Sequence, residues 1–433
     1  MRTLTTATVL LLALAAGACS RDDILDVNTP DVIDPGALDN PLGVQALYAG
    51  AVSELAFQMD NAFGLALVSA LFTDEAMHAS TPPAVREWDL RNVLTTNTTT
   101  PALFLNLQRA RARTADAAAR VAAVVGAPDA RVGELLAVEA FTWILLAEHY
   151  CSGVPVSRAV AGQFEYGPPL STDQLLDTAL VRLDDADAEA AGNARVINLI
   201  AVLRGRALLN QGDFAGAAAA VAGVPTDYVY QIFHSTTTPR QTNQIPVQFN
   251  ADIFSVPSGE GTNGLNFSTA GDPRVPAVIS ANVVSRNDGV TPMTYYVRYT
   301  SQADPVIHAS GIEARLIEAE NELDLGNTGP WLGLLNDVRG TVGLAPLADP
   351  GTAEGRVALM FRERAFWFYL TAHRLGDLRR MVRQYGLDAE SVFPTGAYHK
   401  QGLTRGTQVT FVIPQPEENN PEFDASACNP LVP

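Results

Sequence analysis

Lysine is nearly missing from this chain: Lys400 is the only one in 433 residues, so arginine carries almost all the positive charge. Acidic side chains outnumber basic ones by 47 to 29, for a formal net charge of -18. Binding a phosphate backbone needs clustered cations, so no nucleic-acid partner is expected. Cysteine is scarce too, with Cys19, Cys151 and Cys428 in no metal-ligand spacing. The histidines (His78, His149, His234, His308, His373, His399) are scattered, without a His-Glu-x-x-His pair, so neither a metal site nor a cofactor is expected. Gly-x-Ser-x-Gly and a P-loop are absent. Gly259-Glu-Gly261-Thr-Asn-Gly264 matches a nucleotide-binding pattern in letters only: it follows Pro257-Ser258 and carries an acidic residue, and it reads as a loop. Aromatic residues make up 7%, which does not favour a broad stacking platform over a site for a short oligomer.

What is present begins with a processing signal. Arg2 supplies a positive start, Val9 to Ala16 an apolar stretch too short to span a bilayer, and Ala16-Gly17-Ala18 small residues before Cys19, so residues 1–18 read as a signal peptide. Ala16 and Ala18 fit ordinary cleavage, while the cysteine directly after them fits a lipobox whose thiol becomes lipidated; lipid attachment at Cys19 is the favoured reading. No later stretch is long and apolar enough to span. Residues 19–41 then form a polar, Asp-, Asn- and Pro-rich tether. With Cys19 lipidated, Cys151 and Cys428 remain in an exported protein, either as a disulfide or as two separate thiols.

From residue 42 to 433 the pattern is that of one domain dominated by α-helix. Apolar spacing predicts helices over 103–125, 132–149 and 175–190. Asn198 to Asn210, a Gln211-Gly212-Asp213 turn and Phe214-Ala-Gly-Ala-Ala218 read as a tetratricopeptide-like pair, and 312–324 with 331–338 as a second. Val357, Phe361, Ala365, Phe368, Ala372, Leu375, Leu378 and Val382 predict one continuous helix carrying Arg362 to Arg380. Residues 223–309 differ in kind: rich in Thr, Asn, Pro, Gly and aromatics, they read as a loop-rich insert with short β-prone runs such as 295–299. A last strand is expected at 409–413.

Sugar capture needs ring faces for pyranose stacking and amide or carboxylate groups for the hydroxyls. Trp88, near Glu87, Asp89 and Asn92, supplies both in one stretch, and Tyr295 and Tyr296 add rings in the insert; each ring reads equally as a buried anchor. Trp143, Trp331 and Trp367 sit on helical faces as packing residues. Glu75, Glu87, Asp89, Glu260 and Asp288 are loop carboxylates compatible with glycoside hydrolysis, but they read as solvated surface charge.

Glu363-Arg364, an aromatic run and Arg-x-x-Asp-Leu-Arg-Arg380, followed by Val409-Thr-Phe-Val-Ile-Pro414 and Glu418-Asn-Asn-Pro421, resemble the C-terminal signature of the SusD/RagB family. Tyr150-Cys-Ser-Gly-Val-Pro155 is similar to a family corner, and Ser20-Arg21-Asp22-Asp23 resembles the short tag that sends such lipoproteins to the cell surface. The resemblance implies tetratricopeptide-like helix pairs packed against an irregular loop-rich half with a few short strands. It implies a non-enzymatic, lipid-anchored protein of the outer membrane that captures oligosaccharide or peptide oligomers for a SusC-like TonB-dependent transporter. Trp367-Phe-Tyr-Leu-Thr-Ala372 departs from the family's Glu-Leu-x-Phe-Glu-Gly, leaving Glu363 and Asp377 as candidate partners for the arginines. A tetratricopeptide-type protein-binding scaffold and a surface glycosidase remain the alternative readings.

Overall fold

The computed structural model describes residues 35–126, 128–160 and 163–433; the signal segment, Cys19 and the tether up to residue 34 lie outside the described residues. Helices α1 (Val44–Asp60) and α2 (Leu65–Phe72) split the one long apolar stretch of the described chain into two short pieces, and every residue of α2 is buried. Helix α3 (Pro83–Asp89) follows the Pro82-Pro83 turn. The helical half then runs through α4 (Thr100–Val125), α5 (Ala130–His149), α6 (Thr172–Glu189), α7 (Ala194–Gln211) and α8 (Phe214–Val221), resuming after the insert with α10 (Gly311–Asp324) and α11 (Thr328–Gly340). These are the helix pairs expected from the sequence, and neighbours pack through small residues.

The α7–α8 corner shows how. Gly212 ends α7 in the left-handed region at φ 82, which glycine adopts without a Cβ clash. Asp213 then caps α8 by accepting from the Gly216 N–H. At Gly205 a Cβ would lie 2.5 Å from Val221 Cγ1 and 3.2 Å from Ile317 Cδ1, so glycine there lets α7 meet both α8 and α10.

Within the insert, helix α9 (Ile245–Asn250) is short, and the strands form antiparallel pairs only. β1 (Met77–His78) pairs with β5 (Phe254–Ser255), β4 (Val229–Ile232) with β8 (Val306–Ser310), and β6 (Ala277–Val284) with β7 (Pro292–Tyr296). The register Val229↔Ser310 ties both ends of the insert together where α10 begins. In the helical half, β2 (Ser157–Val160) and β3 (Gln163–Tyr166) form a separate hairpin.

Two expectations fail near the C-terminus. The single arginine helix is two helices, α12 (Ala353–Trp367) and α13 (Arg374–Arg383), because Leu370 and Ala372 take φ of 58 and 62. Glu75 stabilises the break: its carboxylate accepts the Leu370 N–H and its backbone carbonyl the Tyr369 hydroxyl. The apolar period runs on through the break because Phe368, Ala372 and Leu375 are buried on both sides of it. The expected strand at 409–413 is an extended segment with one bridge, Tyr150↔Phe411. Its Phe411 ring packs 4.6 Å from Trp88 and 5.6 Å from Tyr150.

Cys151 and Cys428 are bonded, with Cα atoms 5.2 Å apart, and pin the tail to the end of α5. Gly153 beside them has φ 94, and a Cβ there would meet Ala427 Cβ at 2.6 Å, so only glycine lets the tail lie this close. The lone lysine serves the same segment: Lys400 is buried, donating to the Ser80 carbonyl at 2.9 Å, to the His78 carbonyl and to Asp288 at 2.7 Å.

Candidate functional site

The arginines of the broken helix find more partners than the sequence suggests. Arg374 grips Asp74 through two bonds of 2.7 and 2.9 Å. Arg380 holds Glu320 at 2.6 Å and Asp377 at 2.8 Å, and Arg364 meets the other Asp377 oxygen at 2.8 Å. Glu363 binds Arg274 and Arg339 at 2.6 and 2.8 Å. Burial alone would raise Asp377, but the guanidiniums of Arg364 and Arg380 hold its carboxyl well below the ordinary range. Arg379 has no carboxylate partner among the described residues; it donates to the Ala147 carbonyl in the last turn of α5, where the helix dipole favours a cation. This network is a frame, and it fixes the wall of a cavity.

That cavity, about 220 Å³, lies on the seam between the insert and the helical half. It is smaller than the roughly 300–1,000 Å³ of drug-sized sites, which suits a single ring of a larger ligand. Arg298, Tyr299 and His308 approach from the insert, and Glu313, Trp367 and His373 from the helices. His373 stacks on Phe368 at 4.3 Å; its Nε2 lies 2.7 Å from Arg206 and 3.2 Å from the Glu313 carboxylate, and its Nδ1 faces Thr371 at 2.8 Å. Burial pushes this histidine down, so it stays neutral. The Trp367 Nε1 is buried and makes no hydrogen bond among the described residues, while the ring lies 5.2 Å from the Arg274 guanidinium.

The four ring and amide residues expected to bind ligand are not gathered in one place. Trp88 is only 1% exposed, its indole donating to Thr99 at 2.8 Å and its ring packed on Phe72 and Phe411. Tyr296 is buried against Phe249, Tyr299 and Tyr369. Stacking on a sugar needs a free ring face, so both are packing residues instead. Asn92 is exposed in the turn after α3, beside Gly406. Tyr295 is partly exposed, and its hydroxyl donates to Asp252, which also pairs with Arg286 at 2.7 Å. Arg286 in turn reaches the carbonyl of Asn250, on the lining of an open groove of about 610 Å³ with Thr236, Ser301 and Gln302. Trp367 and Trp143, both read from their helical faces as packing, each line a cavity.

The loop carboxylates also differ from expectation. Glu75, Asp89 and Glu260 are buried rather than solvated. Asp89, Glu260 and His399 bring donor atoms within 4.8 Å of one another, in principle enough for a cation. Arg405 fills that role: its Nη2 contacts both carboxylates, and Tyr398 donates to Asp89 at 2.7 Å. Burial drives Glu260 up while Asp89, despite burial, is held low by Arg405, whose guanidinium occupies the space a divalent ion would need.

No protein-family model matches the sequence, and no curated protein matches it. Solved structures do match. Surface glycan-binding protein A from Bacteroides uniformis aligns at TM-score 0.66 and 14% identity, over 89% of this chain and 99% of that one. A SusD superfamily protein of Parabacteroides distasonis gives 0.65 and 12%, over 88% and 98%. A laminarin-binding SusD-like protein gives 0.57 and 13%, over 82% and 96%. The chain has the fold of the SusD-like proteins.

Proposed function

We propose that this protein captures glycan oligomers without cleaving them, as a lipoprotein anchored to the outer membrane through Cys19, and hands them to a SusC-like TonB-dependent transporter. The observation that carries this reading is the seam cavity, where the Trp367 ring lies among Tyr299, Arg298 and Glu313. An aromatic face with convergent polar groups is what a pyranose requires. The fold supports the reading, since two of its likenesses are named for glycan and laminarin binding. Tyr295 and the polar groove linked to it through Arg286 offer room for further sugar units.

Calorimetry with laminarihexaose and the full chain tests this. Trp367→Phe shrinks the ring that lines the cavity, and is expected to weaken binding roughly fivefold, about 1 kcal/mol of aromatic contact. Unchanged affinity would count against the cavity, and release of reducing ends against a non-enzymatic role. Purification from outer membranes without a large barrel partner would count against delivery, and palmitate labelling that persists in Cys19→Ala against the anchor.

A further inference from the structure

The helical half holds a groove of about 900 Å³, walled by α4 and α6, floored by α5 and closed at one end by the β2–β3 hairpin. In a chain of net charge -18, five arginines line it: Arg109, Arg111, Arg113, Arg158 and Arg182. Two are locally neutralised, Arg158 by Glu165 at 2.7 Å and Arg182 by Asp185 at 3.0 Å. The three on α4 make no ion pair among the described residues. Asp116, one turn further along α4, is engaged by Arg120 at 3.4 Å. Glu139 on the floor accepts from Trp143 Nε1 at 3.2 Å, and burial pushes its carboxyl up, which weakens it as a counter-ion.

Arg111 is the decisive residue. It is 7% exposed, donates from Nε to Gln108 at 2.9 Å and from Nη2 to the Ser157 carbonyl at 2.7 Å, and lies 4.9 Å over the Trp143 ring. Its Nη1 makes no hydrogen bond among the described residues, although the side chain lines the groove. Glu139 is the carboxylate that favours its charge, but no hydrogen bond joins the two among the described residues, so Nη1 stays open to an anion entering the groove. Ser157 and Thr178 add hydroxyls along the walls, and Tyr166, 48% exposed, offers a ring face at the mouth.

We propose that this groove is a second ligand site that takes an acidic oligosaccharide, with the carboxylates of its uronate units on Arg109, Arg111 and Arg113; this rests on the glycan-capture reading and extends it to a charged substrate class. Calorimetry of the full chain with hexagalacturonate tests it. Binding is expected to weaken with added salt and to fall roughly tenfold or more in Arg109→Gln/Arg113→Gln, since a hydrogen bond to a charged group is worth about 1.5–3 kcal/mol. Both positions flank the groove away from the core, so this pair carries the test even where Arg111→Gln does not fold. Laminarihexaose binding should stay unchanged in the same variant. Absence of hexagalacturonate binding, or equal affinity in the double variant, overturns the groove site. Displacement by poly-glutamate at equal affinity overturns its saccharide assignment in favour of acidic peptide. Loss of laminarihexaose binding by Trp367→Phe alone, with hexagalacturonate binding intact, shows two independent sites and supports both. Failure of laminarihexaose to bind the native chain while hexagalacturonate binds leaves the groove standing and removes the seam cavity.

Discussion

Arginine plays opposite parts in two regions of this molecule. Around α12 and α13 the guanidiniums of Arg274, Arg364, Arg374 and Arg380 are buried, and each meets a carboxylate within 2.8 Å. Along α4, Arg109, Arg111 and Arg113 have no such partner among the described residues and line an open groove. Taking a charge from water costs several kcal/mol unless the fold compensates it, so the buried, paired arginines are structural, while Arg109 and Arg113 keep solvent access and stay open to an outside anion. The difference teaches that the arginine count says little here. What separates frame from site is where the carboxylates lie: Glu363 and Asp377 stand on α12 and α13 themselves, and Asp74 and Glu320 come from distant parts of the chain.

The strongest way to break the contrast is to strip a frame arginine of its partner. Asp377→Ala leaves Arg364 and Arg380 short of a buried carboxylate, and denaturant unfolding should show a loss of about 3–5 kcal/mol. A slightly smaller effect is expected at the disulfide, which joins residues 277 apart in sequence. Cys428→Ser should cost about 2–4 kcal/mol and free the tail, measured as a lower melting temperature and faster proteolysis after residue 393.

Much of the frame was legible in the sequence and little of the site. The helix pairs could be read because their corners use local chemistry, Gly212 leaving the helix and Asp213 capping the next. The break between α12 and α13 could not, because a contact from Glu75, some 295 residues away in sequence, makes it while the apolar period runs on. Trp88 follows a Pro-Pro turn as an exposed ring would, and only the arrival of Phe411 from the C-terminal tail buries it. The groove hides for the same reason. Arg109 and Arg113 share a face of α4 and Arg111 lies on another, and nothing in that spacing shows that α5, α6 and the hairpin close around them.

Within the frame itself one carboxyl behaves differently, and acidity exposes it. Burial drives Glu75 well above the ordinary range, with Arg374 only partly opposing. The folded state therefore keeps a proton that the unfolded state gives up above about pH 4.3. Native Glu75 thus favours folding least at neutral pH and most in acid, the reverse of Asp377, whose contribution is full above about pH 3.8 and is lost below it. Glu75→Gln keeps the acceptor for Leu370. It should match the native chain near pH 4 and exceed it in stability as pH rises, as followed by urea midpoints across that range.

The smallest expected effect on stability belongs to the groove, and its smallness is the point. Among the described residues Arg113 is exposed without an ion pair and Arg109 bonds only to the neighbouring Asn106, at 3.3 Å, so neither holds another described element in place. Arg109→Gln/Arg113→Gln should shift unfolding by less than about 0.5 kcal/mol, the range of ordinary surface substitutions. A slight gain is the expected sign, since removing two neighbouring like charges at (i, i+4) on one helix face relieves repulsion. A loss of several kcal/mol would mean that these arginines have partners in solution like those of α13, and the distinction between a paired frame and an unpaired groove would collapse.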